Sequence, residues 1–371
     1  MITEQKKEVI LDDSRVIMEA LAQAGADVYI GYPITPSNAM YLYASQRFTM
    51  MLPAPDEIST LQYMSGLATL GHIPVTATSF PGFALMIESI NMAYMMELPM
   101  IIILTQRLGP ATGTATAGAQ GDVALLRGMI SGAHPVPVFC PSSIEDCWQL
   151  SAKAVEVAVK LRTPVIILSS KERATTSRNF DISKLPPIKP IERKYYNGDK
   201  PYLPYEYNES LVPEFLPVSN TKHQVRITAS THDQKGIIQH TSEEATRNTV
   251  RLEKKIYHYL NEYTYYEHIK NGSDKIIVSY GVSANAAQEA VNIQNEKNIP
   301  VDLLIVKTLL PVPNVLYDIL NNYKYIVFAE DNINGQYAKI MYGDKLPPNI
   351  SYVGAIGKML SPKEIIEGGK L

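Results

Sequence analysis

At 371 residues the chain is long enough for two domains, each with its own core, and 46% hydrophobic with 19% charged residues is an ordinary globular composition. A net charge of −3, with Lys, Arg and His scattered along the chain, gives no basis for a nucleic acid or an anionic membrane as partner. Its two cysteines, Cys140 and Cys147, cannot supply the four thiolates of a ferredoxin-type iron–sulfur cluster. The start, Met1 to Lys7, has no apolar core of the kind a signal peptide needs, and apolar runs such as Met100 to Leu104 are too short to span a bilayer. The expectation is a soluble, cytoplasmic protein with reduced, buried thiols.

Helix and strand signals alternate from the start. Asp13 is expected to cap a helix in which Val16, Ile17, Ala20, Leu21 and Ala24 recur at helical spacing, with Gly25 ending it. The apolar run Val28–Ile30 reads as a strand and leads into Gly31-Tyr32-Pro33-Ile34-Thr35-Pro36-Ser37. Two prolines hold that loop extended, so Thr35 has a fixed direction at the C-terminal end of a strand. A helix is expected from about Ser37 to Arg47. Another runs from Glu57 to Gly71 after the Pro53-Ala54-Pro55-Asp56 turn. Val75–Thr78 reads as a strand running into Ser79-Phe80-Pro81-Gly82, and Phe83–Glu97 as a Met-rich helix. Met100–Leu104 is continuously apolar, as in a parallel sheet covered on both faces. Ser142 with Glu145 reads as a capping box for a helix from Ile144 to Leu161, and Val165–Leu168 as the strand that closes the unit. This βα alternation implies a doubly wound parallel sheet.

From Lys171 the texture changes. Residues 184–217 are rich in Pro and Tyr without a period, as in a long ordered arm. Glu243–Glu262 reads as a charged helix with a solvated face. A second α/β unit follows, with strands at Ile276–Tyr280, Val301–Val306 and Tyr325–Ala329, helices at Ala284–Lys297 and Pro362–Glu367, and Glu330 at a strand end. No internal repeat is visible.

Chemistry in such a sheet belongs at the C-terminal ends of strands, which singles out Thr35, Ser79 and Arg107. Asp56 suits the capping position of its helix, which leaves Glu57 either as a first-turn carboxylate favoured by the helix dipole or as a catalytic group. Arg107 suits a surface salt bridge and a fork for a carboxylate or phosphate about equally. The loop Gly109–Asp122 is almost all small residues and would allow close approach of a ligand or partner, or serve as a flexible surface loop. The histidines form no metal pattern, and neither a phosphate-binding P-loop nor a dinucleotide fingerprint is present.

Four of these stretches, in order, resemble the α subunits of 2-oxoacid:ferredoxin oxidoreductases. Gly31–Ser37 resembles that family's Y-P-I-T-P-S motif, and Asp56-Glu57-Ile58 its D-E-I segment. Thr76–Gly82 resembles T-A-T-S-G-P-G, and Gln106–Gly113 resembles Q-R-x-G-P-S-T-G. Ile276–Leu371 is similar to the family's transketolase C-terminal-like domain, with Glu330, Asn332, Gly335 and Gln336 matching E-x-N-x-x-G-Q. The chain departs from the family at Phe80, where glycine is usual, and at Asp13-Ser14-Arg15-Val16, where the family has G-N-E-A.

The resemblance implies an α/β fold with three parts. Residues 1–173 would form a pyrimidine-binding-type thiamine diphosphate domain, 174–272 an extended arm and linker with a charged helix, and 273–371 the transketolase C-terminal-like domain. It implies that Glu57 holds the aminopyrimidine ring nitrogen, that Thr35, Thr78 and Ser79 contact the cofactor, and that Arg107 and Thr35 face the 2-oxoacid. None of the three Gly-Asp pairs, Gly121-Asp122, Gly198-Asp199 and Gly343-Asp344, continues into the G-D-G that binds Mg²⁺ and diphosphate. This chain would therefore contribute no metal ligand. The diphosphate and Mg²⁺ site and a cluster would lie on a β subunit, with γ and ferredoxin-like δ subunits, coenzyme A and ferredoxin completing the system. The implied reaction is oxidative decarboxylation of a 2-oxoacid, 2-oxoglutarate above others, by a complex in which this chain alone is inactive. The rival reading is a subunit of a non-oxidative thiamine-dependent 2-oxoacid decarboxylase, which would not need the C-terminal unit.

Overall fold

A computed structural model describes residues 7–110 and 114–371. The start of the chain, Met1 to Lys6, and the last three residues of the Gln106–Gly113 stretch lie outside the described residues. The larger sheet has seven strands in the order Thr308–Leu310, Val138–Phe139, Pro164–Ser170, Met100–Gln106, Pro74–Thr78, Val28–Gly31 and Met50–Pro53. All neighbours are parallel except the first pair, where Thr308–Leu310 runs antiparallel along the edge. Met100–Gln106 and Pro164–Ser170 are buried along their whole length, the burial that their continuous apolar runs require.

Alternate residues of these strands feed two cores. Ile101, Ile103, Val165 and Ile167 pack under the helices Asp13–Ala24 and Ile144–Leu161. Met100, Ile102, Leu104, Ile166 and Leu168 pack under Glu57–Thr69 and Phe80–Met95. The second core runs on into Ile276, Val278, Leu304 and Phe328 of a smaller sheet, so the two sheets share one apolar interior. That smaller sheet has the order Ile350–Gly354, Tyr325–Glu330, Lys275–Ser279, Asp302–Val306 and Tyr266–Ile269, the last strand antiparallel. The helices Ser283–Glu296 and Pro362–Gly369 cover its other face.

Three local expectations are corrected. The first helix is capped by Asp12, whose side chain accepts from Arg15 N at 2.9 Å, not by Asp13. Asp13 is fully buried and pairs with Arg173 at 2.6 Å and Arg178 at 3.0 Å. The helix Ile144–Leu161 is capped one residue later than expected, by Ser143 rather than Ser142, and the Asp146 carboxylate instead takes hydrogen bonds from Ser142 N and Lys307 Nζ. The charged helix, Glu243–His258, does not present only a solvated face. Asn248, Arg251, Leu252, Lys255 and Ile256 are buried, and both cations bind the fully buried Glu97.

That ion cluster pins the irregular part of the chain. Residues 185–242 contain no helix or sheet strand and only two isolated bridges. Arg162, buried beside Glu97, donates to the carbonyls of Pro204 at 3.1 Å, Pro213 at 3.3 Å and Glu214 at 3.0 Å. Trp148 Nε1 holds Pro186 O at 2.7 Å. Burial disfavours charge on Glu97, but Lys255 and Arg251 outweigh it and hold the carboxyl well below its ordinary range. Burial also pulls the Lys255 ammonium down to about 8, with Arg251 pushing the same way against Glu97.

Candidate active site

Four neighbouring strands of the larger sheet, Met100–Gln106, Pro74–Thr78, Val28–Gly31 and Met50–Pro53, run parallel and end on one side. Each is followed by one of the four motif stretches. Parallel order alone therefore gathers Thr35, Glu57, Thr78, Ser79 and Arg107 above the carboxyl edge of the sheet, where open α/β folds bind ligands.

Thr35 is exposed, with a cis peptide to Pro36. Its Oγ1 accepts from Asn38 Nδ2 at 3.0 Å, and its carbonyl accepts from the Arg107 guanidinium at 2.6 Å. Ser37 Oγ donates to Thr78 O at 2.8 Å and ties this loop to the next strand. Asp56 caps the helix Glu57–Thr69 by accepting from Ser59 N at 2.7 Å, so Glu57 is not the cap. Glu57 is 6% exposed, and none of the described residues hydrogen-bonds its carboxylate. The carboxylate lies against Gly82: a Cβ there would sit 2.4 Å from both Glu57 Oε1 and Thr78 Oγ1. Thr78 and Ser79 are buried, and Ser79 Oγ is enclosed without a hydrogen-bond partner although it begins the helix Phe80–Met95.

Enclosed polar groups without protein partners are uncommon and call for an explanation. One of them, Ser79 Oγ, lies here, and the nearly buried Glu57 carboxylate lies beside a glycine whose missing side chain makes room for it. An acceptor and a hydroxyl left open at a strand edge suit a ligand with a polar heteroaromatic ring.

Arg107 is 6% exposed, and burial lowers its pKa while Asp122 opposes the shift. Gln106 Oε1 accepts from Asp122 N at 3.2 Å, so the end of the small-residue loop folds back on its start. Gln120 and Gly121, just before Asp122, are anchored from the second sheet. Gln120 Oε1 accepts from Ser283 Oγ at 2.6 Å and Asp331 N at 2.8 Å, and Gln336 Nε2 donates to Gly121 O at 2.8 Å. Glu330, fully buried, accepts from Tyr280 OH, Asn332 Nδ2, Tyr337 N and Ala338 N. The Glu330–Gln336 stretch is thus a clamp on residues 120–124.

Sequence reasoning does not single out Ser37, Gly82, Gln120 or Asp122. Asp122 carries a signal, an acid closing a run of small residues two positions after a glutamine, but its burial is a tertiary fact. Among the described residues no group of three or more His, Cys, Asp and Glu is arranged to hold a metal, and no helix is long and apolar enough to cross a membrane. Cys140 and Cys147 are both buried and free.

Fold and family match define an α/β protein of the thiamine diphosphate-binding class. The family described as pyruvate flavodoxin/ferredoxin oxidoreductase, thiamine diP-bdg, matches residues 19–254, and the chain belongs to it. It is 28% identical to the 2-oxoglutarate synthase subunit KorA of Methanocaldococcus jannaschii, over 97% of this chain and 98% of that protein. It is 29% identical to the 2-oxoglutarate oxidoreductase subunit KorA of Mycobacterium tuberculosis, over 87% of this chain and 50% of that protein. Among solved structures it superposes on a 2-oxoglutarate:ferredoxin oxidoreductase from Magnetococcus marinus, with 2-oxoglutarate, coenzyme A and succinyl-CoA bound. That match has a TM-score of 0.90 at 24% identity over 99% of this chain and 66% of that one, a likeness of fold. A split-gene transketolase matches with a TM-score of 0.56 at 15% identity, also in fold.

Proposed function

We propose that this chain is the α-type subunit of a 2-oxoacid:ferredoxin oxidoreductase and lends the pyrimidine side of a thiamine diphosphate site to a centre completed by a partner chain. The observation that carries the reading is the Glu57 carboxylate, buried, not used as a cap, without a hydrogen bond from any described residue, and seated against a glycine. A carboxylate so placed fits a ring nitrogen that needs a hydrogen-bonding acid or base, and the Ser79 hydroxyl beside it fits the same polar ring edge. When bound, thiamine diphosphate supplies the electron sink that lets a 2-oxoacid lose carbon dioxide.

The chain's own residues have separable roles. Glu57 takes and returns a proton at the ring nitrogen, in a position shielded from bulk water. Thr78 and Ser79 line the ring edge. Arg107, fixed through Thr35 O, holds the substrate carboxylate by a charge-assisted contact. Thr35 exposes its hydroxyl toward the 2-oxo group. Exposed Tyr32 and Ile58 beside these residues support closure of the site by a second polypeptide.

The substrate assigned is 2-oxoglutarate, in line with the names of the relatives, with succinyl transfer to coenzyme A and electrons passed to ferredoxin. Both cysteines are buried here, which supports placing iron–sulfur clusters, with Mg²⁺ and the diphosphate site, on a β subunit. Gamma and ferredoxin-like delta subunits and a cytoplasmic location complete the proposal. Residues 1–173, 174–272 and 273–371 are assigned as cofactor domain, arm and transketolase-like domain.

The test is purification of the complex that a tagged copy of this chain brings down, followed by a panel of 2-oxoacids with coenzyme A and a viologen acceptor. Dye reduction that needs coenzyme A and is fastest with 2-oxoglutarate is expected. Carbon dioxide release independent of coenzyme A, or no reduction with any 2-oxoacid, contradicts the proposal.

A further inference from the structure

Asp122 closes the small-residue loop and precedes the helix Val123–Gly128, where its side chain makes no capping hydrogen bond. Its backbone N–H donates to Gln106 Oε1 and its carbonyl accepts from Leu126 N at 3.2 Å. Neither bond uses the side chain. The residue is 6% exposed, and its Oδ2 is enclosed without a hydrogen-bond partner. An enclosed carboxylate oxygen without a donor costs stability, and an aliphatic side chain would fill the space at lower cost. The charged group that acts on Asp122 is Arg107. The other acids near the loop have different surroundings. Asp331, held by Leu360 N, feels Glu172 and Glu364, and the Glu172 carboxylate lies against Gly118.

We propose that Asp122 is a positioning residue that acts on the substrate through Arg107: ionised, it draws the guanidinium and repels an incoming carboxylate, and protonated, it no longer competes with the 2-oxoacid. The inference rests on the reading of Arg107 as the carboxylate fork. Substrate binding then carries a proton from solvent onto Asp122, and no covalent bond changes. Burial pushes the Asp122 carboxyl up to about 7, with Arg107 opposing. The switch therefore falls in the neutral range, where neither carboxylate of a 2-oxoacid such as 2-oxoglutarate titrates. As pH rises through that value Asp122 ionises, so binding weakens.

For the purified complex at saturating coenzyme A, the KM for 2-oxoglutarate should rise about tenfold from pH 6 to pH 8 if the two carboxylates exclude each other at Arg107. In Asp122→Asn the KM should be flat over that range. A variant KM with the wild-type pH profile overturns the inference. A second reading needs no variant. Binding of 2-hydroxyglutarate, which keeps both carboxylates and lacks the 2-oxo group, should take up about three-quarters of a proton per site at pH 7.5, measured with an indicator dye in weak buffer. Uptake near zero with the analogue bound overturns it too. Failure of the parent reading looks different: Arg107→Ala would then leave the KM for 2-oxoglutarate unchanged. Arg107→Ala raising that KM while Asp122→Asn keeps the wild-type profile rejects only the role of Asp122.

Discussion

Replacing Gly82 with alanine probes the space around Glu57 with one methyl group. The new Cβ would lie 2.4 Å from Glu57 Oε1 and Thr78 Oγ1 and 2.6 Å from Glu57 Cγ, where ordinary contact begins at 3.4 Å. Something must move by about 1 Å. Thr78 ends a buried strand and Gly82 sits in the first turn of a helix, so both are held by backbone pairing. The Glu57 side chain, with no hydrogen bond to a described residue, and the Thr78 hydroxyl are the parts that yield. A displacement of about 1 Å at a group placed for chemistry costs about 10²-fold in rate. Overpacking of a well-filled site costs about 1–3 kcal/mol of stability. The assay is dye-coupled turnover of the complex, with thermal melting of the same preparation. A large loss of turnover with a melting temperature lowered by only a few degrees is expected. Wild-type turnover in Gly82→Ala would refute the argument that Glu57 must stay where it is.

Other substitutions separate binding from architecture. Arg107→Ala should raise the KM for the 2-oxoacid by about 10–100-fold, the loss of one charge-assisted contact worth about 1.5–3 kcal/mol; a change confined to the KM for coenzyme A would reject the carboxylate role. Glu97→Gln leaves Arg251 and Lys255 buried without their counter-ion and should cost about 3–5 kcal/mol in chemical denaturation at pH 7. The lowered pKa of Glu97 means that its stabilisation is present above its ordinary value of 4.5 and fades as pH falls below it, so the variant should lack that part of the acid sensitivity. Gln120→Ala unpairs Asp331 N and Ser283 Oγ at the junction of the two sheets and should cost about 1–3 kcal/mol, read as a lower melting temperature; an unchanged melt would show that the Glu330–Gln336 clamp does not depend on it.

The elements that hold the site are legible in the sequence because each is written locally. Val28–Ile30, Val75–Thr78 and Met100–Leu104 are short apolar runs ending in turn residues, and parallel neighbours place such ends together. Asp56 as cap follows from one residue type at one position. Other features depend on what packs from elsewhere. The strands Met50–Pro53 and Thr308–Leu310 are short, each with a proline at or just past its end, and exist because a neighbouring strand from elsewhere in the chain pairs with them. The burial of Arg251 and Lys255 cannot be read from a helix whose charges look solvated, since their partner, Glu97, is more than 150 positions away. Asp13 misleads for the same reason: next to a true cap, it looks like one, and Arg173 makes it a core residue. The role argued for Asp122 also needs the fold, because only tertiary structure encloses its carboxyl beside Arg107.

The most direct measurement is turnover of the purified complex carrying Glu57→Gln, an exchange that keeps the shape of the side chain and removes its ability to carry the proton. The account predicts a complex that still assembles and turns over about 10²–10⁴ times more slowly. Turnover equal to that of the unaltered complex would contradict it.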